Sequence, residues 1–295
     1  MRIKITLDFS DKSSRLWPKA QEFFRKIGRD DLVDAPIKEH AYNFVFYDEE
    51  KKMQSILREA EKSGFDKKIS FQKEYTINEL RSFPLLRFIV NTAPKGDGGP
   101  RYGTKYDISE ACPQCLSGAE QISPLILNAT GISLKKSVAQ TYSHEILVSP
   151  ELAQAFQDEK VTGLKMLEVI SRKGAKLPWF QLLSDYELPP MSLSSIGIIR
   201  STSEWGQAPC TRCGRDGYFD THKISSEIHY DKSRIDIHSL PDILRTYENF
   251  GKGKIRTPFE KSVLAHPLII INPRIFDILR SLKVRGVAFE PVIIE

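Results

Sequence analysis

The sequence predicts an α+β (mixed α/β) fold, in which an N-terminal α/β module precedes a duplicated strand–helix–strand region. Over residues 1–92, short apolar runs with a period of two alternate with amphipathic helical patterns. Further along, one strand–helix–strand pattern occurs twice, at about 145–169 and 268–292. The composition, 40% hydrophobic and 27% charged, is that of a globular protein and excludes collagen-like, coiled-coil and disordered chains.

Residues 1–92 are expected to form the N-terminal module. The stretches RIKITLDF, AYNFVFYD, KISFQKEY and LLRFIVNT have the alternation of strands. Two helical patterns, SSRLWPKAQEFFRKIG and EKKMQSILREAEKSG, end at Gly28 and Gly64, as helices often do. Thr76 and Glu79 have the spacing of a capping box, which predicts a short helix beginning there.

A glycine-rich segment follows this module. Residues 93–104, APKGDGGPRYGT, contain four glycines and two prolines and have no apolar periodicity. The segment is therefore predicted to be a linker, and residues 105–295 a second domain.

The second domain contains the internal repeat. In each copy a short apolar run ends at a good N-cap residue, Ser149 or Asn272, and a proline follows at the first helical position. Aligning these prolines also aligns Gly163 with Gly286, and each glycine allows a tight turn into a final strand. Both copies are predicted to fold as strand, capped helix, glycine turn and second strand.

The chain has four cysteines, and each belongs to a C-x-x-C pair: Cys112, Cys115, Cys210 and Cys213. Two residues between thiolates allow both sulfurs to bind one tetrahedral Zn²⁺ at about 2.3 Å. The pairs lie almost a hundred residues apart, whereas a zinc ribbon separates them by roughly 15–20. Each pair nevertheless precedes one copy of the repeat, so two similar halves can bring one pair each to a shared metal.

The spacing thus predicts one structural four-cysteine zinc site joining the two halves, since four thiolates leave no coordination position open for catalysis. Separate free thiol pairs are the main alternative, and a reducing compartment disfavours disulfides. Haem attachment is excluded because Leu116 and Gly214 stand where a histidine is required.

The sequence also allows two other functional classes. In the segment 220–238, Asp and His stand two residues apart three times: Asp220 and His222, His229 and Asp231, and Asp236 and His238. On a strand this spacing suits a metal-dependent hydrolase or nuclease, and the simpler interpretation is a hairpin with a solvent-exposed face. The stretch GKGKIR at 251–256 is the nearest candidate for a nucleic-acid contact. The net charge of +5 comes from interleaved basic and acidic residues, so a mixed surface is favoured over a nucleic-acid site.

Enzyme signatures and membrane segments are absent from the sequence. It contains no G-x-S-x-G elbow, P-loop, Rossmann fingerprint or H-E-x-x-H, so no catalytic residue is assigned. No apolar run reaches the roughly 18 residues that span a bilayer. The first residues read as a strand and not as a signal peptide, so we expect a cytoplasmic protein.

Taken together, the C-x-x-C at 112–115, LVSPELAQAF…VTGL…V at 147–169, CTRCG at 210–214 and the closing INPRIFDILRSLKVRGVAFEPV resemble the double-CxxCG motif proteins. That group lies close to the immunity proteins of bacterial polymorphic-toxin systems, including those of myxobacteria. The resemblance covers roughly residues 105–295, and it departs from the pattern at Leu116, where a glycine is expected. It implies a cytoplasmic, non-catalytic protein that neutralises a cognate toxin by binding it, with the four cysteines as zinc ligands.

Overall fold

The computed structural model describes residues 2–8, 17–33, 43–65, 69–91, 96–128, 136–200, 210–220, 225–251 and 253–295. The chain divides into two compact units. The smaller contains Met1–Glu79 and Asp220–Ser226, and the larger contains Leu80–Phe219 and Glu227–Glu295. Helices and mixed sheets occur in the described ranges, which confirms the predicted α+β class.

The smaller unit is an antiparallel sheet with two helices. Its elements are β1 (Arg2–Asp8), α1 (Trp17–Lys26), β2 (Asn43–Asp48), α2 (Met53–Lys62) and β3 (Ile69–Glu74), with strand order β2-β1-β3. Ile3, Ile5 and Leu7 are fully buried, as the period of two predicts. They share a core with Phe23 and Phe24 of α1.

The capping box is confirmed at the start of α3 (Ile77–Ser82). The Glu79 carboxylate accepts hydrogen bonds from the backbone N–H and the hydroxyl of Thr76, at 2.7 and 2.9 Å. In return the Glu79 N–H donates to the Thr76 hydroxyl, at 3.3 Å. The two residues thereby satisfy amide groups that the first turn of a helix leaves unpaired.

The larger unit contains strands of two to nine residues together with the helices Pro150–Asp158 and Pro273–Ser281. In chain order its elements are β4 (Leu85–Val90), β5 (Tyr106–Asp107), β6 (Glu120–Gln121), β7 (Leu125–Leu127), β8 (Val138–Gln140), β9 (Ile146–Val148), α4 (Pro150–Asp158), β10 (Leu164–Ser171), β11 (Lys176–Ser184), β12 (Ile198–Arg200), β13 (Tyr218–Asp220), β14 (Ile228–Tyr230), β15 (Ile243–Phe250), β16 (His266–Ile271), α5 (Pro273–Ser281) and β17 (Val287–Ile294). One sheet has the order β7-β10-β11-β9-β8, and a second has the order β12-β13-β15-β16-β4-β17-β14. Strands β5 and β6 form a small separate pair.

The predicted duplication is confirmed and extends further than the sequence indicates. Helix α4 joins β9 to β10, and α5 joins β16 to β17. In each sheet the two joined strands lie on either side of one antiparallel strand, which is β11 in the first and β4 in the second. The strands on the outer sides of these three also match. Strands β8 and β15 are antiparallel to β9 and β16, and strands β7 and β14 are parallel to β10 and β17. The five strands of the first sheet therefore correspond to five of the seven strands of the second.

The place of β4 differs from the sequence-based domain boundary. The predictions assign this strand to the N-terminal module and set the boundary at 93–104. In the structure β4 pairs with both β16 and β17, and the unit boundary lies between Glu79 and Leu80. The physical reason is burial, since Leu85 and Leu86 of β4 are at most 1% exposed within the sheet of the larger unit. Residues 93–95 of the expected linker lie outside the described ranges.

Both repeat helices begin as predicted. The Ser149 hydroxyl accepts from the Leu152 N–H at 3.4 Å, and the Asn272 side chain accepts from the Ile275 N–H at 3.2 Å. A proline occupies the first turn in each helix. Gly163 has the positive φ of 73° that favours glycine, and a Cβ at this position would overlap the Ile243 carbonyl oxygen.

Asp242 joins the two copies of the repeat. Its carboxylate accepts from the backbone N–H and the hydroxyl of Thr162, at 2.8 and 2.9 Å, just beyond α4. It also accepts from the Asn272 amide and the Arg274 guanidinium, at 2.8 and 3.0 Å, at the start of α5. Burial alone raises the pKa of this carboxyl, but the hydrogen bonds and the Arg274 charge outweigh it and hold the pKa below its ordinary value.

We expect Asp242→Asn to lower the free energy of unfolding by about 2 kcal/mol at neutral pH, because it removes a charged acceptor shared by three residues. The folded-state pKa lies below the unfolded value of about 3.9. The stabilisation is therefore complete above that pH and is lost as the pH falls through the folded-state pKa. Urea denaturation at neutral pH and in acid should show a difference between wild type and variant that shrinks in acid.

Asp277→Asn is the matched control. Its carboxylate pairs with Arg81 at the surface, where both side chains are about half exposed, so the change should cost under about 1 kcal/mol. Equal costs of Asp242→Asn at both pH values would contradict the assignment.

Candidate metal centre

The structure brings all four cysteine sulfurs to one point in the larger unit. The Sγ atoms of Cys112 and Cys210 are 3.7 Å apart, and those of Cys115 and Cys213 are 3.4 Å apart. All four lie within 4.8 Å of one another, so together they can hold one metal ion. A tetrahedral site with metal–sulfur bonds of about 2.3 Å places its sulfurs about 3.8 Å apart. The predicted convergence of the two pairs is thus present.

Both C-x-x-C segments fold as the same turn. The Leu116 N–H donates to the Cys112 carbonyl at 2.8 Å, and the Gly214 N–H donates to the Cys210 carbonyl at 3.1 Å. Leu116 and Gly214 have φ angles of 65° and 69°. Glycine enters this left-handed region freely, whereas leucine does so at a cost. Leu116 is only 3% exposed, and burial of its side chain offsets that cost.

A layer of hydrogen bonds surrounds the sulfurs. The Cys115 Sγ lies 3.2 Å from the Ser117 hydroxyl, which accepts from the Asn249 amide at 2.9 Å. The Arg215 N–H donates to the Cys213 Sγ at 3.5 Å. Such outer contacts orient metal ligands and tune their basicity.

Asp216 fixes the second C-x-x-C segment against the first. It is 1% exposed, and its carboxylate accepts from the N–H of Cys210 at 2.7 Å and from that of Gly253 at 3.2 Å. Gly253 in turn lies directly on the Cys115 carbonyl, where a Cβ would overlap the oxygen. Sequence reasoning missed both residues, because an aspartate and a glycine in polar loops resemble ordinary turn residues.

The thiols differ in acidity. Burial raises the pKa of Cys112, but hydrogen bonds from the backbone of Gln114 and Cys115 and from neighbouring thiols bring that pKa down to about 7. Burial is the main cause that raises the pKa of Cys115 and of Cys213. A bound divalent cation reverses such shifts by deprotonating its thiol ligands, so metal binding here competes with protons.

The histidine and aspartate residues at 220–238 do not form a second centre within the described part of the chain. Asp231 and Asp236 instead cap two short 3₁₀ helices, Lys232–Arg234 and Ile237–Ser239, by accepting from backbone N–H groups two residues on. The strand interpretation is therefore wrong for Asp236 and His238, because this aspartate caps the N–H of the residue two positions on. Asp220 does end β13, and His229 does lie in β14. His222 lies outside the described ranges, and where the structure can be assessed the four cysteines are the one group suited to a metal.

The glycine at the centre of the GKGKIR stretch has a structural role, whereas the sequence suggested a nucleic-acid contact for this stretch. Gly253 is buried against the Cys115 carbonyl, while 254–256 are exposed. Lys252 lies outside the described ranges. The nucleic-acid alternative stays a prediction.

In comparisons with known proteins, the chain matches no protein-family model and no curated protein. The resemblance to double-CxxCG motif proteins consequently rests on the quoted motifs. None of the helices in the described ranges is long and apolar enough to cross a membrane.

We expect Gly253→Ala to destabilise the larger unit by about 3 kcal/mol, because the added methyl group displaces the Cys115 backbone from the metal-binding turn. Metal content should fall with it. Gly174→Ala is the control, since its Cβ would meet nothing within 4 Å and the cost is limited to the positive φ of 80°. Chemical denaturation and metal analysis of both variants test this, and equal effects would contradict the role of Gly253.

Proposed function

We propose that the four cysteines bind one Zn²⁺ and that this zinc has a structural role. The observation that supports the proposal is the pair of sulfur–sulfur distances, 3.4 and 3.7 Å, close to those of a tetrahedral four-thiolate site. Thiolate ligands in this geometry suit zinc, as they also suit iron–sulfur centres. Four protein ligands leave no position for water or substrate, so the metal acts on stability and not on chemistry.

The zinc would connect the two halves of the duplicated architecture. Cys112 and Cys115 precede β7, and Cys210 and Cys213 precede β14, which occupies the equivalent edge of the other sheet. Because the unfolded chain has no preformed site, the free energy of zinc binding adds to the free energy of folding.

We further propose that the protein acts by binding a protein partner and not by catalysis. The support is the closed ligand set, together with the capping roles of Asp231 and Asp236, which account for two residues of the alternative catalytic cluster. A cognate bacterial toxin is the partner that the sequence resemblance suggests. An immunity protein of this kind neutralises its toxin by stoichiometric binding.

The zinc proposal predicts about one zinc per chain by metal analysis of the purified protein. Cys112→Ser and Cys210→Ser should each abolish tight zinc binding and lower the unfolding midpoint. The double variant should be no less stable than the single ones, because residues that serve one site act as a unit. Additive losses, or a second equivalent of metal, would indicate two separate thiol pairs.

The partner proposal predicts that a toxin encoded next to this gene co-purifies with the protein. Cells that produce this toxin should survive only when the protein is present. A toxin from an unrelated system serves as the control for non-specific capture. Absence of both binding and protection for the neighbouring toxin would reject the immunity role, while leaving the zinc site intact.

A further inference from the structure

A polar cleft of about 170 Å³ opens between the two sheets of the larger unit. Its walls come from β11, from β15 and from the starts of β9 and β16. Leu116, which directly follows Cys115, and Arg215, two residues after Cys213, also line it. The segments that carry the metal-binding turns therefore also form part of the cleft wall.

The cleft is lined by a buried carboxylate that has no ion-pair partner among the described residues. Glu145 is 3% exposed, and one of its oxygens, Oε2, accepts from the Thr141 hydroxyl. The other oxygen, Oε1, is buried and has no hydrogen-bond partner among the described residues. A Cβ at Gly98 or Gly99 would lie 3.2 Å from this oxygen, so glycine leaves space beside it.

The electrostatic surroundings of Glu145 are acidic. Burial, and then the charge of Asp97, raise the pKa of its carboxyl to about 7. Burial, and then His144, lower the pKa of His266 to about 4, so this cleft imidazole is neutral and supplies no balancing charge. An unpaired buried carboxylate is costly, and a ligand cation would relieve that cost.

Another part of the cleft wall carries an excess of positive charge. Arg215 and Arg245 share the single carboxylate of Glu187, and the Nη2 of Arg245 lies 3.5 Å from it. The guanidinium of Arg215 is further engaged by the Tyr247 carbonyl and ring. Arg245 is the less occupied of the two, because its buried Nε has no partner among the described residues.

We propose that this cleft binds a small zwitterion of the amino-acid class, with its ammonium group on Glu145 and its carboxylate on Arg245. A ligand with only negative charge would leave Glu145 unpaired, and one with only positive charge would face the arginine pair. A zwitterion supplies a partner for both charges. The site is separate from the proposed partner-binding function, and either can fail without the other.

The test uses the full-length, zinc-loaded protein and isothermal titration calorimetry. The zwitterionic probes are glycine, β-alanine, 4-aminobutyrate and 5-aminovalerate, which vary the distance between the charges. Butylamine and butyrate supply each charge alone. At least one zwitterion should bind at least about tenfold more tightly than both single-charge probes, a difference of about 1.4 kcal/mol. No binding of any zwitterion at millimolar concentration, or equal binding of butylamine or butyrate, overturns the proposal.

Two variants test whether these two residues contact the zwitterion. Glu145→Gln and Arg245→Gln should each weaken the best zwitterion at least about tenfold. Glu168→Gln, on the exposed part of β10 and paired with Lys176, should bind like the wild type. Zinc content and unfolding midpoint are measured for every variant, and Arg245→Gln alone decides the result if Glu145→Gln does not fold. Unchanged affinity in a folded Arg245→Gln variant overturns the proposal.

Discussion

The meeting of four cysteine sulfurs at one point is the constraint on which the larger unit depends. The strands that follow the metal-binding turns most closely along the chain, β6 and β13, have two and three residues. Strands this short contribute few ladder hydrogen bonds and are weak by themselves. A metal bound by both turns would tie these two short strands, which belong to different sheets, to one centre. The hydrogen bonds of Asp216 and Ser117 add a polar layer that holds the sulfurs in register.

The duplicated sheets are interlocked by the order of their strands. In the first sheet the central antiparallel strand, β11, comes directly after its repeat, whereas in the second the equivalent β4 comes long before its repeat. The second sheet therefore needs residues 85–90 and 266–294 together, and the first repeat lies between these segments in the chain. Contacts of such sequence separation form slowly, because chain entropy is lost before they are made. The Asp242 network also joins distant segments, since Asp242 and Thr162 lie 80 residues apart in the chain.

Much of this architecture follows from local patterns in the sequence. N-caps, prolines at first turns and glycine turns act within a few residues, so Ser149, Asn272 and Gly163 have the predicted roles. Which sheet a strand joins depends on distant partners, so the apolar run of β4 could not reveal its place. The same limit applies to Asp216 and Glu145, whose burial depends on segments far along the chain. The prediction for Asp236 and His238 is wrong for another reason, because a spacing of two occurs both on one face of a strand and between a capping aspartate and the N–H that it binds.

The cleft and the metal centre share residues, because the segments that follow the cysteines also contribute to the cleft wall. Arg215 donates its N–H to the Cys213 sulfur and directs its guanidinium to Glu187 in the cleft wall. Asn249 donates to Ser117 beside Cys115 and also lines the cleft. A shift of either metal-binding turn would therefore displace residues that line the cleft. Charges act strongly in a partly buried cleft, where the effective dielectric constant is well below that of water. A metal without an open coordination position can in this way still set the electrostatics of a ligand site, through the residues that follow its ligands.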